Sequence, residues 1–124
     1  MEIIYVIGRI LFAGLFISSG YGHIVKVKDM SGYAKSMAVP AAGFMTILTG
    51  IMILLGGLMI IFNFEMFYGA LLILLFLVPT SFMMHAFWKL KDAGMKQIQQ
   101  IMFMKNISLA GAALMLMYFT YGLH

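Results

Sequence analysis

Four long apolar runs, at residues 3–24, 41–62, 66–88 and 101–123, occupy nearly the whole of this 124-residue chain. Each is close to the length of about 20 residues that an α-helix needs to cross a bilayer. Only 10% of the residues are charged and 64% are hydrophobic, whereas a soluble domain carries about a quarter charged. The mean hydropathy of +1.04 points the same way. A chain with so little polar surface cannot clothe a water-soluble globule. The expected fold is an all-α membrane protein, a four-transmembrane-helix bundle forming one domain over residues 1–124 and facing the lipid bilayer. The first run is too long for the core of a secretion signal and is expected to remain as a helix.

A phrase occurs twice. His23-Ile-Val-Lys26-Val-Lys28-Asp29 closes the first run, and His85-Ala-Phe87-Trp88-Lys89-Leu-Lys91-Asp92 closes the third, 62 positions later by His-to-His count. The echo predicts two parallel helical-hairpin repeats, with both histidines at one depth near one face. Lys26, Lys28 and Lys35 fall in the first loop and Lys89, Lys91 and Lys96 in the third, while Glu2 and Glu65 mark the opposite side. By the positive-inside rule the lysine-rich loops face the cytoplasm and both termini lie outside. The net charge of +4 is therefore a signal of topology, and no nucleic-acid partner is expected.

The first loop, residues 26–40, exceeds a tight connection. Met30, Tyr33, Ala34 and Met37 make an apolar stripe there, which predicts a short amphipathic helix at the interface, ending near Val39-Pro40 because a residue before proline avoids the helical region. The third loop, residues 89–100, is polar, with Gly94 as its expected break. Gly14, Ser18 and Gly22, with Ala13 and Ser19 beside them, on the first helix, Gly43, Gly50 and Gly57 on the second and Ala110 to Ala113 on the fourth are candidates for close helix contacts. Pro79 is expected to bend the third helix. Met45, Met52, Met59 and Met66 recur every seven residues, which suits a packing stripe on the second helix.

Few polar groups remain to carry chemistry. Arg9 lies inside the first helix, where a guanidinium snorkels, pairs or lines a cavity; Glu2, Glu65 or an outer-side anion are its candidate partners. His23 and His85 could hydrogen-bond a quinone carbonyl, relay a proton or ligate haem iron. Haem is disfavoured because axial histidines usually sit nearer the helix middle, and two histidines without a third ligand assign no metal site. Trp88 follows His85 by three residues, on the same face of a continuing helix. Lys105 and Asn106, at the start of the fourth helix, would reach the same layer. His23, His85, Trp88, Lys105 and Asn106 form the candidate ligand-binding set; no catalytic residue is assigned. The chain lacks cysteine, which excludes disulfides, iron–sulfur clusters and thiol relays. No intrinsic cofactor is expected, so any electron chemistry would need a borrowed one such as a quinone.

Gly8-Arg9-Ile-Leu-Phe12 through Ser19-Gly20-Tyr-Gly22-His23, then Tyr33-Ala34 and Pro40, resembles the opening of DoxX-family membrane proteins. His85-Ala-Phe87-Trp88 and Phe103-Met-Lys105-Asn106-Ile-Ser-Leu109-Ala-Gly111 resemble that family's second half. His23 departs from it, since many members carry lysine after the Ser-Gly pair; a basic or hydrogen-bonding group at this depth is what the resemblance asks for. The resemblance implies a small protein of a bacterial or archaeal inner (cytoplasmic) membrane, often attached to a redox system, since members include subunits of a thiosulfate:quinone oxidoreductase. The expected function is an accessory or anchor subunit of a quinone-linked membrane oxidoreductase, with membrane protein partners or as a homo-oligomer. The alternative is a non-enzymatic structural or assembly subunit of a larger membrane complex.

Overall fold

The computed structural model describes residues 2–122. Its elements are α1 (Glu2–Val25), α2 (Val27–Ser36), α3 (Ala42–Ile61), α4 (Met66–Met84), a 3₁₀ turn at Phe87–Lys89, and α5 (Ala93–Thr120). Among the described residues α1, α3, α5 and the segment led by α4 are long and apolar enough to cross a membrane. α1 packs along α3 and α4 along α5, so each hairpin is a closely packed pair, and α3 against α4 joins the two. The common core draws on Ala13 and Phe16 of α1, Ile53 and Ile60 of α3, Leu77 of α4 and Ala113 of α5. The two histidines occupy matching places in the hairpins: His23 in the last turn of α1, His85 as the residue that ends α4.

Packing in lipid gains little from hydrophobicity, because the tails are as apolar as leucine; close van der Waals contact must supply the attraction. The seam between α1 and α3 shows how. A Cβ placed on Gly20 would meet the Gly50 carbonyl oxygen at 2.7 Å, and one on Gly50 would meet the His23 Cβ at 2.6 Å. Gly56 and Gly69 do the same for α3 against α4, each facing the other's carbonyl oxygen. The expected stripe on α1 is thus corrected. Gly14, and Gly43 on α3, have nothing within 4 Å and Ser18 is exposed, whereas Ala13, expected beside that stripe, makes the contact together with Gly20. Seven residues separate that pair, two turns of a helix, so it shares the face that looks at α3.

The helix ends also depart from the apolar runs. α2 forms where the stripe predicts it, with Ala34 buried. The third helix stops at Met84 instead of running to Trp88, and the chain turns so that Ala86 becomes fully buried. The fourth starts at Ala93, eight residues before the expected 101, because the Asp92 carboxylate accepts the Met95 backbone N–H at 2.9 Å and caps the first turn. Gly94 sits inside that turn and breaks nothing. Hydropathy marks where a helix meets lipid, and a helix can run on through water. At 28 residues, α5 spans about 42 Å, so its first turns extend past the hydrocarbon. Its expected end at residue 123 lies outside the described residues. Met66 opens α4, so the seven-residue methionine series does not lie on one helix.

Candidate functional site

Between the helices, at the lysine-rich end, lies a cavity of about 560 Å³ lined from every helix. That is within the range of roughly 300–1,000 Å³ usual for small-molecule sites. Lys26 and Asp29 stand at its outer end, while Leu15, ten residues before the end of α1, lines its inner end. Ten residues of helix put Leu15 about 15 Å deeper. Leu15, Leu75 and Pro79 line the cavity and are exposed on the membrane-spanning parts of α1 and α4. The space is therefore mostly apolar and open along its side, with its polar groups gathered near one end.

His23 projects from the last turn of α1 toward α3. Its Nδ1 lies 3.2 Å from the Thr46 carbonyl oxygen and 3.2 Å from the Thr49 hydroxyl. The Thr49 hydroxyl donates its own proton to the Met45 carbonyl at 2.7 Å. A carbonyl can only accept, so Nδ1 carries the proton, and in the neutral ring Nε2 is left as an acceptor. The ring packs edge-on against Phe76, centroids 5.7 Å apart. His85 is held differently. Its Nδ1 is 2.6 Å from Gln99 Oε1, on the water-side extension of α5. Thr46, Thr49 and Gln99 were missed in the sequence. Two threonines three apart in an otherwise apolar helix are the signal that would have drawn attention to the first two.

Asn106 is a largely buried residue whose amide atoms still reach the cavity surface. It is only 7% exposed, lines the cavity, and has no side-chain hydrogen bond among the described residues. Its amide atoms are not sealed from the cavity, so they are free to bond a group that enters it. Lys105 is on the same lining, with its ammonium 3.9 Å from the Met102 sulfur, a weak acceptor. Both residues sit about 18 Å along α5, well past its start, because the helix begins before the apolar run. Trp88 is separate. It is 48% exposed and packs against Phe82, Phe87 and Phe103, with centroids 6.2, 5.2 and 5.6 Å away. Because α4 ends before it, the three-residue spacing from His85 no longer puts the two on one helical face. The structure thus gathers His23, His85, Lys105 and Asn106 around the cavity and leaves Trp88 outside it.

α2 closes the outer end with Met30, Tyr33 and Ala34. The Tyr33 hydroxyl donates to the Met84 carbonyl at 3.1 Å, tying α2 to the end of α4. Burial raises the Tyr33 phenol above its ordinary pKa, which keeps the donor proton in place. Tyr33→Phe removes one hydrogen bond worth about 1 kcal/mol. Backbone amides of α2 are expected to exchange with deuterium roughly fivefold faster in the variant, with those of α3 unchanged; equal α2 rates would show that the bond does not hold the helix.

Arg9 is at the other end of the bundle. Its Nε donates to the Ile60 carbonyl at 3.1 Å and its Nη2 to the Ile61 carbonyl at 2.8 Å, while the guanidinium carbon lies 5.4 Å from the Tyr5 ring centre. It therefore caps the C-terminus of α3, where the helix dipole is negative, in place of an ion pair with Glu2 or Glu65 among the described residues.

Four spanning helices around a cavity with one polar end make this a small multi-pass integral membrane protein. The DoxX family model matches residues 4–86, and the chain belongs to that family. It is also similar to the inner membrane protein YqjF of Escherichia coli (strain K12), 33% identical over 110 residues that cover 89% of this chain and 78% of that protein. No solved structure matches it. The family match holds Arg9, His23 and His85; Trp88, Lys105 and Asn106 lie beyond it.

Proposed function

We propose that the protein is an accessory or anchor subunit of a quinone-linked membrane oxidoreductase system, docking a quinone in the cavity at its lysine-rich end. The observation that carries this reading is Asn106, a largely buried residue whose amide has no protein partner among the described residues and opens on a mostly apolar space exposed along its side. A lipophilic ring with oxygen substituents supplies what that space lacks, and its tail has an apolar route out past Leu15 and Leu75. Phe76 and Tyr33, not Trp88, flank the position such a ring would take. The membrane is a cytoplasmic (inner) one, in keeping with the relative's description. The lysine-rich loops face the cytoplasm. Catalysis is assigned to a partner subunit.

Native mass spectrometry of gently extracted protein tests this. The expected result is a bound quinone in the wild type, reduced at least about fivefold in His85→Ala and in Asn106→Leu, which lose polar contacts worth about 1–3 kcal/mol. Absence of quinone at every stoichiometry in the wild type would remove the reading. A second reading, a structural subunit without a ligand, draws on α1 and α5, each with only 17% of its apolar window buried, against 33% for α3 and for the segment led by α4. It predicts a stoichiometric protein partner that stays bound when both His23 and His85 are replaced.

A further inference from the structure

The cavity has a hydrogen-bonding polarity as well as a shape, and His23 sets it. Its Nδ1 faces a carbonyl oxygen, Thr46, and a hydroxyl, Thr49, whose proton is already directed to Met45. Both neighbours can only accept at that position. The neutral imidazole is thereby held in the Nδ1–H tautomer, and its Nε2 lone pair, with no partner among the described residues, is left to the cavity that His23 lines. His85 has no such fixed polarity, because its neighbour is the Gln99 side-chain amide, which can turn over to present either oxygen or nitrogen. Asn106 likewise offers both a donor and an acceptor.

From this we infer that the site selects a lipophilic ring presenting a hydroxyl donor to His23 Nε2, and so takes the phenolic, reduced form of its ligand in preference to the carbonyl, oxidised form. A ring carbonyl placed against Nε2 sets one lone pair against another and leaves both unsatisfied. A ring hydroxyl donates to Nε2 and can accept from Asn106. A site that hydrogen-bonds a hydroxyl rejects analogues that lack it, because its own polar groups are then left without partners. The inference rests on the quinone reading for the identity of the ring but not for the polarity, which belongs to His23, Thr46 and Thr49.

The experiment is a binding series on the detergent-solubilised full chain, under anaerobic conditions, by calorimetry. One arm uses a decyl-substituted 1,4-benzoquinone, its hydroquinone and the dimethyl ether of that hydroquinone. The second uses 4-decylphenol and its methyl ether, which do no redox chemistry. The hydroquinone is expected to bind at least about tenfold tighter than the quinone or the diether, and the phenol tighter than its ether by a similar factor. In His23→Gln, whose amide can turn to suit either partner, both gaps are expected to shrink to within about threefold. The comparison among ligands on the wild type does not depend on that variant folding. A quinone that binds as tightly as the hydroquinone overturns the inference and leaves the quinone dock standing. Discrimination between phenol and ether, with neither benzoquinone form bound, upholds the polarity and removes the quinone reading. Failure of every compound to bind overturns both.

Discussion

Gly50→Val is expected to destabilise the bundle by about 3 kcal/mol, the upper part of the usual cost of overpacking a filled interior. The new side chain has nowhere to go. Its Cβ would stand 2.6 Å from the His23 Cβ and 3.3 Å from the Gly20 carbonyl oxygen. One is backbone and the other is fixed directly to it, so no rotamer change relieves the clash and α1 must move off α3. That movement also pulls His23 away from Thr46 and Thr49, so the variant should lose the ligand discrimination described above along with its stability. Gly14→Val is the matched control on the same seam's outer side: nothing lies within 4 Å of its added Cβ, and it should stay within about 0.5 kcal/mol of wild type. Unfolding in mild detergent by titration with SDS, followed by helical circular dichroism, compares the two. If both variants unfold with the wild type, α1 and α3 do not meet through these glycines.

Removing the guanidinium at the other end should be nearly as costly. Arg9→Leu deletes two charge-assisted hydrogen bonds, to Ile60 and Ile61, and is expected to cost about 2 kcal/mol. The last carbonyls of α3 are not equally dependent on it. Phe62, Phe64 and Asn63 donate backbone N–H groups to Leu58, Met59 and Ile60, which leaves the Ile61 oxygen to Arg9. Leucine therefore strands one acceptor and weakens the satisfaction of another at the end of a dipole that favours a cation. Arg9→Lys retains the charge but not the forked pair of donors, and should recover about half the loss. The same SDS titration reads both variants. Full recovery by lysine would mean that charge alone matters there; no loss with leucine would mean that water replaces the guanidinium at that end.

Membrane residence and the number of spanning helices could be read from the residues alone, because lipid leaves a long apolar segment almost no alternative to a helix. The repeated His-to-Lys phrase was informative for a related reason. A helix leaving the bilayer needs interfacial and basic residues at its end, so equivalent ends carry equivalent signals. It correctly placed His23 and His85 at matching ends of the two hairpins. Helix limits within the polar loops were less legible. Asp92 caps α5 in water, where hydropathy carries no information, and Tyr33 meets the end of α4 from a different element altogether.

What the sequence by itself determined is what depends on each segment and its solvent: an all-helical chain that spans a membrane several times, with its lysines at one end and a short amphipathic helix among them. What only the tertiary structure decided is which faces meet. Gly20 and Gly14 look alike in the sequence, yet one touches α3 and the other faces outward. Trp88 and Asn106 belong to one layer by their places at the helix ends, yet one packs among phenylalanines outside the cavity and the other lines it without a partner. The physical reason is the weakness of the rotational signal in lipid. A helix apolar all round has no polar face to orient it, so its rotation is set by close contacts with neighbours that no single segment contains.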